Sequence, residues 1–362
     1  MIDKILLFPY WLILKIRHFM YDHELKKVHS ADVPTICVGN ITVGGTGKTP
    51  HTEMLLRTLL QNVDWGAKNI AVLSRGYKRS TKGFQQVVAD GTAKEFGDEP
   101  LQIKRKFPFI TVAVDKSRKE GCDFLCNPDL VLTSKKARRC LHKDFPKADL
   151  IILDDAFQHR ALKPAVSIVL VDYNRPIFKD HLMPLGKLRD LPERIKAADI
   201  IIVSKCPTYL DAWEKGKWTE ALGIRNDQHI FFTSIGYDNS QAVFPEGDPR
   251  YLYTQRLILF SGIANDKPLR NYLSGNYKII RHFDFPDHHK FSRADITSIH
   301  NAACAFPTSV VMTTEKDCQR IRDCKTVPDN LKQRMFYAPI KVNFFSEQEH
   351  ESFASTLNSY LK

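Results

Sequence analysis

The chain has 362 residues, of which 43% are hydrophobic and 26% are charged, and its formal net charge is +12. This composition is ordinary for a folded protein, the length is sufficient for two domains, and the positive charge indicates an anionic partner or a solvated basic surface. The eight cysteines contain no CxxC pair and no histidine cluster completes a zinc pattern, which favours reduced thiols over disulfides or a structural metal.

The first segment contains an uninterrupted apolar run from Ile5 to Leu14, flanked by Lys4 and Lys15. The run is shorter than the roughly 20 apolar residues that span a bilayer, and no cleavage site of small residues follows it. Basic and aromatic side chains around the run predict an amphipathic helix in residues 1–27 that lies in a membrane interface. The alternative is an ordinary helix docked on the core.

Short β-branched runs follow, each bounded by polar or glycine-rich segments, with helix-like stretches such as residues 51–63 between them. The runs are PTICVGN (34–40), NIAVLSRG (69–76), FITVAV (109–114), LIILDD (150–155), VSIVLVD (166–172) and DIIIVSK (199–205). Continuous apolar strands that alternate with helices predict a doubly wound, mostly parallel α/β sheet domain in residues 28–225.

The composition of the chain changes after residue 225. Residues 226–255 are polar, turn-rich and aromatic, which is typical of a connecting region. Residues 256–362 then contain helical patterns near 291–306 and 346–361 and four further strand-like runs, and they predict a second, smaller C-terminal α/β domain. The four runs are RLILFSGIA (256–264), YKIIRHFDF (277–285), SVVMTTEKD (309–317) and FYAPIKVNFF (336–345).

A glycine-rich loop, TVGGTGKT, lies between the first predicted strand and a predicted helix. Three glycines (44, 45 and 47) leave backbone N–H groups free to converge on phosphate oxygens, and the helix N-terminus adds positive potential. Lys48 would reach the β- and γ-phosphates, and Thr49 would bind Mg²⁺. Thr42 stands where the usual phosphate-loop pattern has its first glycine. The strand–loop–helix context predicts a nucleotide site rather than a structural turn.

Other polar groups follow predicted strands or occupy predicted loops. Asp154 and Asp155 end the run LIILDD, where a carboxylate can hold Mg²⁺ directly or through water. Pro207 replaces the aspartate of a guanine-binding signature after VSK, which favours ATP over GTP. The segments SRGYKRS (74–80), GDEP (97–100) and FPDHHKF (285–291) are candidates for an acceptor site with a base.

With these residues in hand, the sequence resembles the tetraacyldisaccharide 4'-kinases of lipid A biosynthesis. Blocks of the type GNxTVGGTGKTP, SRGY, GDEP, DDxFQH, LLPxGxLR and TTEKD occur in the family's order, at 39–50, 74–77, 97–100, 154–159, 182–189 and 313–317. Thr42 belongs to that family pattern. Ala156 departs from it, since the family usually has glycine there.

The resemblance implies a P-loop NTPase-like domain, a smaller C-terminal domain and a catalytic cleft between them. It implies Asp98 and His288 as the pair that activates the acceptor hydroxyl, and Thr49, Asp155 and Asp154 as the magnesium site. The implied ATP-binding residues are Thr42, Val43, Gly44, Gly45, Thr46, Gly47, Lys48, Thr49 and Arg189. The implied residues near the substrate headgroup are Arg75, Tyr77, Arg118, Gln158 and His159.

The activity implied is transfer of the γ-phosphate of ATP, with Mg²⁺, to the 4'-hydroxyl of tetraacyldisaccharide 1-phosphate. The expected partners are this glycolipid and the inner leaflet, with no nucleic acid and no obligate protein partner, at the cytoplasmic face of the bacterial inner membrane. The alternatives are a P-loop ATPase or GTPase switch of the partitioning or metallochaperone type, and a membrane adaptor with a purely structural nucleotide.

Overall fold

The structure is a computed structural model that describes residues 2–362. Its strands are β1 (Thr35–Gly39), β2 (Ile70–Ser74), β3 (Gln85–Gln86), β4 (Thr111–Val114), β5 (Leu150–Asp154), β6 (Val166–Asp172), β7 (Ile200–Cys206), β8 (His229–Tyr237), β9 (Gln241–Ala242), β10 (Arg256–Ser261), β11 (Lys278–Asp284), β12 (Val310–Thr314), β13 (Met335–Ala338) and β14 (Ile340–Phe344). Its α-helices are α1 (Ile2–Asp22), α2 (Lys48–Gln61), α3 (Ala93–Phe96), α4 (Asp98–Lys106), α5 (Arg118–Cys126), α6 (Asp129–Thr133), α7 (Ala212–Leu222), α8 (Lys267–Ser274), α9 (Arg293–Ala305), α10 (Glu315–Ile321), α11 (Asp329–Lys332) and α12 (Glu347–Ser359).

The larger sheet has nine strands among the described residues, in the order β14-β8-β7-β6-β1-β5-β2-β4-β3. The pairs from β8 through β4 are parallel, and the edge strands β14 and β3 are antiparallel to their neighbours. The β-branched runs of the inner strands are almost wholly buried, because helices cover both faces. Leu14 and Leu125 lie in the core on one face, and Leu55, Leu101 and Phe353 lie in the core on the other. The predicted doubly wound, mostly parallel sheet is confirmed.

The smaller sheet has five strands among the described residues, in the order β11-β10-β12-β13-β9. Strands β10 to β13 are parallel, and the short β9 joins the edge antiparallel to β13. Helix α9 begins at a capping box formed by Ser292 and Asp295, and it buries Ile296 and Ile299 against this sheet. The predicted second α/β unit is therefore present.

The boundaries between the two units differ from the predicted ones, which placed a connecting region at residues 226–255 and the smaller domain at residues 256–362. Strand β8 lies inside the predicted connecting region, yet it pairs with β7 in the larger sheet. The run FYAPIKVNFF, predicted as one strand, is two: β13 pairs with β12 in the smaller sheet, and β14 pairs with β8 in the larger sheet. Pro339 separates them, and its missing N–H allows the ladder to end there. Strand β14 and helix α12 thus complete the larger unit.

Helix α1 is docked on the larger unit through polar contacts of one face. The Tyr10 hydroxyl donates to the Arg189 carbonyl at 2.9 Å, and Arg17 donates to the Gln158 carbonyl at 2.6 Å. The buried His18 contacts the buried Asp190 carboxylate at 2.6 Å. Asp190 therefore anchors α1 from the segment that also supplies Arg189.

The opposite face of α1 is apolar and exposed. Its exposed large side chains are Phe8, Trp11, Leu12, Ile13, Ile16 and Phe19. A contiguous exposed apolar face marks a surface for protein or membrane contact. Among the described residues, no helix has both the length and the apolar character needed to cross a membrane. One face of α1 thus docks on the core, as the second alternative predicts, and the other faces outward. Binding of α1 to a membrane interface stays a prediction.

Candidate active site

The glycine-rich loop lies at the carboxyl end of β1, the strand between β5 and β6 near the middle of the larger sheet. Open α/β sheets bind ligands at this edge, because the loops that follow parallel strands meet there. The loop leads directly into α2, whose first residue is Lys48. The backbone N–H groups at the start of α2 therefore point toward the site that the loop encloses.

The loop conformation depends on two glycines with positive φ. Gly44 has φ of 96° and Gly47 has φ of 90°, a region that residues with a Cβ rarely adopt. Thr46 is fully buried, and its hydroxyl accepts a hydrogen bond from the Asn40 side chain at 2.7 Å. A Cβ added to Gly45 would meet no atom of the described chain within 4 Å. The loop is thus held at Thr46 by the hydrogen bond from Asn40 and is open at Gly45, which leaves room for a phosphate group.

Cationic side chains converge on Asp155, which follows β5. Lys48 Nζ lies 3.6 Å from Asp155 Oδ1, and Arg189 Nη1 donates to Asp155 Oδ2 at 3.2 Å. Asn40 Oδ1 bonds Arg189 Nη2 and accepts a hydrogen bond from Lys48 Nζ at 3.4 Å. Burial raises the pKa of Asp155, but the charge of Lys48 and the hydrogen bond and charge of Arg189 outweigh it and lower that pKa to about 2. Asp155 is therefore a permanent carboxylate at the phosphate loop.

Asp154 is the buried neighbour of this carboxylate. Ser74 Oγ at the end of β2 donates to Asp154 Oδ2 at 3.2 Å, whereas Oδ1 accepts no hydrogen bond from the described residues. Burial and the negative charge of Asp155 raise the pKa of Asp154 to about 6. A buried oxygen without a donor, beside a second carboxylate, fits a divalent cation or its bound water, and Thr49 lies in the first turn of α2 at the phosphate loop.

Asp98 and His288 come from the two different units and meet across their interface. GDEP is not a loop as predicted: Gly97 has φ of 96° and caps α4, and Asp98 is the first residue of that helix. His288 lies in the turn after β11, with φ of 62°, and its Nδ1 is 3.3 Å from Asp98 Oδ2. Burial raises the pKa of Asp98, but hydrogen bonds from His288 and Arg320 reverse the shift and hold that pKa below its ordinary value.

The segment after β2 lies against this pair. A Cβ added to Gly97 would be 3.3 Å from the Tyr77 carbonyl, so the two loops are in close contact. The Tyr77 ring is exposed, and its centroid lies 6.2 Å from that of His288. Arg75 is also exposed. Because β2 is the neighbour of β5, these side chains stand next to the Asp154–Asp155 edge.

The remaining predicted headgroup residues have supporting positions. Gln158 Nε2 donates to the Asn40 carbonyl at 2.6 Å, and burial together with the charges of Arg118, Arg17 and Arg75 lowers the pKa of the half-buried His159. Arg118 is only 3% exposed and donates to the backbone carbonyls of Asp115 and Asp154 at 2.7 and 2.9 Å. The structure therefore places Arg118 behind the Asp154 backbone rather than on the open surface.

The sequence also matches the model of a known protein family. A family model described as tetraacyldisaccharide-1-P 4'-kinase matches residues 4–362 of the chain. The chain belongs to the tetraacyldisaccharide 4'-kinase family. The resemblance deduced from the sequence motifs is thereby confirmed.

Curated members of the family are similar over almost their full length. The chain is 37% identical to the tetraacyldisaccharide 4'-kinase of Phocaeicola vulgatus over 96% of this chain and 91% of that protein. It is 36% identical to the one of Parabacteroides distasonis, over 95% and 90% of the two chains. A crystal structure of LpxK from Aquifex aeolicus in complex with ATP has the same fold, with a TM-score of 0.72, 24% identity and full coverage of both chains.

In this member of the 4'-kinase family, three polar side chains at the site were not predicted. Asn40 follows β1 and bonds Thr46, Lys48 and Arg189, and its place directly before the loop was the available signal. Lys205 after β7 bonds the Gly45 carbonyl and lies 2.8 Å from Asp172 Oδ2, although the sequence pointed only to its VSK motif. Arg320 on α10 contacts Asp98 from 222 positions away, and no local pattern indicates that contact.

His51 of α2 is another residue that the sequence pattern did not single out. Its Nδ1 contacts the Gly47 carbonyl at 2.7 Å and its Nε2 contacts Thr233 Oγ1 at 2.9 Å, and burial lowers its pKa to about 4. The neutral imidazole thus ties the end of the phosphate loop to β8.

Proposed function

We propose that the chain transfers the γ-phosphate of ATP to the 4'-hydroxyl of tetraacyldisaccharide 1-phosphate and so forms a bisphosphorylated lipid A precursor. The observation that carries the proposal is the contact between Asp98 and His288, at the segment after β2 that adjoins the strand carrying Asp154 and Asp155. Hydrolysis of a nucleotide by a switch protein requires no such pair on a second unit. A transferase needs it, because a sugar hydroxyl is a weak nucleophile that must lose its proton.

The residues of the loop bind and orient the nucleotide. The open backbone from Gly44 to Gly47 and the N-terminus of α2 would hold phosphate oxygens, and Lys48 would neutralise charge on the transferred group. Arg189 lies beside Lys48 with its guanidinium directed at Asp155, so it is placed to do the same. These groups supply positioning and charge neutralisation, which account for most of the catalysis of phosphoryl transfer.

Three residues of this site fit magnesium. Thr49, Asp155 and Asp154 would hold the ion, and the unpaired Oδ1 of Asp154 is the observation that supports this assignment. When bound, the ion would neutralise negative charge on the phosphates. Asp155 is ionised at every physiological pH, so it is ready for this role.

On the acceptor side, the two members of the pair have different tasks. The low pKa of Asp98 makes this carboxylate a weak proton acceptor but a strong orienting group. It faces His288 Nδ1, and a proton on that nitrogen would leave the lone pair of Nε2, which lies 3.8 Å from the Asp287 carboxylate, for the substrate hydroxyl. We therefore assign proton removal to His288 and orientation of the imidazole to Asp98.

The substrate headgroup would lie over the segment after β2. Arg75 is exposed there and can pair with a phosphate, and Tyr77 offers an aromatic face next to His288. Gln158 and His159 follow Asp155 along the same edge. Arg118 would act on the headgroup site indirectly, because its buried guanidinium is engaged with the backbone carbonyls of Asp115 and Asp154.

Purified chain should phosphorylate tetraacyldisaccharide 1-phosphate when supplied with radiolabelled ATP and Mg²⁺. The label should appear in a bisphosphorylated lipid, and an acceptor that already carries a 4'-phosphate should remain unlabelled. The measurement is thin-layer separation of the lipid products with time. ATP hydrolysis at an equal rate with and without the glycolipid, with no labelled lipid, would instead support a nucleotide-hydrolysing switch.

We infer further that α1 binds the cytoplasmic face of the inner membrane, where the acylated substrate resides. Lys15 lies on the same helix as the exposed apolar face, and the net charge of +12 favours an anionic surface. Deleting residues 1–27 would be a poor test, because it would also remove the contacts of His18 and Arg17 with the larger unit.

The double substitution Ile13→Glu, Ile16→Glu should release the protein from vesicles of phosphatidylethanolamine and phosphatidylglycerol. These side chains are 62% and 51% exposed, so the change removes apolar contact with lipid without touching the core. Each isoleucine contributes about 1.5–3 kcal/mol on burial, so we expect at least a tenfold fall in the bound fraction, about 1.4 kcal/mol or more, in a flotation assay. Val63→Glu, at a side chain 98% exposed outside α1, is the matched control and should float like wild type. Equal flotation of all three proteins would place the membrane contact elsewhere.

A further inference from the structure

Arg320 of α10 extends from the smaller unit to the carboxylate of Asp98 in the larger one. Its Nε and Nη2 donate to Asp98 Oδ2 at 2.9 and 2.6 Å. Its Nη1 donates to Asp317 Oδ1 at 2.8 Å and lies 3.2 Å from the Gly262 carbonyl. The side chain is 8% exposed, so water competes little for these bonds. The N–H groups of the guanidinium therefore donate hydrogen bonds to both units, to Asp98 in the larger one and to Asp317 and Gly262 in the smaller one.

We propose that Arg320 is a positioning residue for phosphoryl transfer, which fixes the Asp98 carboxylate against His288 and keeps it an anion. The inference rests on the proposed function, since it concerns the pair that activates the acceptor. It adds a third member to that pair, contributed by a helix that carries none of the residues predicted at the site.

The geometry around Asp98 Oδ2 supports this role. The same oxygen accepts both bonds from Arg320 and lies 3.3 Å from His288 Nδ1. Arg320 Nη2 is also 3.3 Å from that nitrogen, but an Nδ1 that carries the proton donates to Asp98 and accepts nothing from Arg320. An arginine stays protonated in proteins, so its charge disfavours proton uptake by Asp98 throughout the pH range of the enzyme. The carboxylate can then orient the imidazole, while the substrate proton goes to His288.

Arg320 is itself held in one orientation by buried groups of the smaller unit. Asp317 has no exposed surface, and its Oδ2 accepts from the Gly262 N–H at 2.8 Å and from Thr314 Oγ1 at 2.7 Å. Gly262 follows β10 and Thr314 ends β12. The position of the guanidinium is therefore determined by the strands of the smaller sheet, and it transmits that position to Asp98.

The interface between α4 and α10 does not depend on Arg320 alone. Lys316 pairs with Glu99 at 2.8 Å, and Lys106 pairs with Glu315 at 2.6 Å. These contacts should keep the two units together when the Arg320 bonds to Asp98 are removed. A loss of activity in a folded Arg320 variant would then report on Asp98 rather than on assembly of the interface.

The test compares Arg320→Met with Lys316→Met, which removes an ion pair of the same helix and interface. Lys316 makes no hydrogen bond to Asp98 and acts on it through its charge alone, less strongly than Arg320 does. We expect Arg320→Met to lower kcat for glycolipid phosphorylation about 10²-fold, because small misplacements of a catalytic group have effects of this size. The KM for ATP should change less than threefold. Lys316→Met should stay within about threefold of wild type in both parameters, and Arg320→Lys should recover part of the loss because it restores one donor and the charge.

The pH profile separates positioning from a structural role. Without Arg320 the pKa of Asp98 should rise, so the protonated fraction of the carboxyl grows as the pH falls. The ratio of variant to wild-type kcat should therefore decrease from pH 8 to pH 6, which a merely loosened interface would not cause. A constant ratio, or equal losses in Arg320→Met and Lys316→Met, would overturn the proposal, as would an Arg320→Met kcat within threefold of wild type.

Two further controls keep the outcome unambiguous. Melting temperatures establish that each variant is folded. If Arg320→Met does not fold, the ratio is measured on Arg320→Gln, which also removes the charge beside Asp98 and whose kcat relative to wild type must then be at least threefold lower at pH 6 than at pH 8. Absence of lipid phosphorylation by the wild-type protein would refute the proposed function itself. An active wild type with an unaffected Arg320 variant refutes only the role of Arg320.

Discussion

Lys48→Ala should lower kcat for lipid phosphorylation at least about 10³-fold while the protein stays folded. Loss of a single preorganised charge-stabilising group typically costs about 10²–10³-fold, and Lys48 also lies 3.6 Å from the Asp155 carboxylate. Its removal would leave Asp155 with one cationic partner fewer. It would also remove a positive charge from the site where phosphate charge must be neutralised. Steady-state rates of lipid phosphorylation, measured at saturating ATP on protein with the wild-type circular dichroism spectrum, would show the effect.

The matched control is Lys187→Ala. Its backbone carbonyl accepts the Val43 N–H at 2.7 Å, so it borders the loop, but its side chain is exposed. The same change in charge at this distance from the phosphates should leave kcat within about twofold of wild type. If Lys48→Ala retained more than a tenth of wild-type kcat, the nucleotide would have to bind elsewhere.

His288→Ala and Asp98→Asn should each reduce kcat by about 10²–10⁴-fold, the usual contribution of a positioned general base, with little change in the KM for ATP. In the proposed mechanism both side chains act on the acceptor and not on the nucleotide. An imidazole accepts a proton only in its neutral form, so wild-type kcat should rise with pH through the neutral range, and His288→Ala should lose that rise. Initial rates from pH 5.5 to 9 for the three proteins would test this.

His289→Ala is the control for this pair. His289 is the adjacent histidine of the same turn, but its Nε2 lies 2.9 Å from Asp295 Oδ2 at the start of α9, and its ring stacks on Phe285. We expect a lower melting temperature with kcat and its pH profile unchanged. An unaltered pH profile in His288→Ala would move the base to Asp98 or His159.

Much of the fold could be predicted because the signals are local. Each inner strand of the larger sheet is a continuous apolar run, and β1, the glycine loop and α2 are consecutive, so their geometry follows from a few neighbouring residues. The carboxylates Asp154 and Asp155 could be placed for the same reason, since they end the run of β5. The division of the C-terminal residues failed at Pro339, because which sheet a strand joins depends on distant partners.

The acceptor side was predicted less completely. Taken alone, GDEP and FPDHHKF are each typical of a solvated loop. Only the family resemblance predicted that Asp98 and His288 act as a pair. Asp98 in fact begins a helix, where the N-terminal dipole favours its charge. Arg320 carried no signal at all, because a buried arginine and a surface arginine look alike in a helix of seven residues.

The sequence by itself determined the phosphate loop, the carboxylates after β5, the two α/β units and the kinase family, because each rests on residues that are close together along the chain. The tertiary structure alone decided that Asp98, His288 and Arg320 meet, that residues 340–362 return to the larger unit, and that α1 is docked on one face and exposed on the other. The physical reason is the same in all three cases. Contacts between residues 190 or 222 positions apart arise from the packing of whole elements, and no short sequence pattern records which elements pack together.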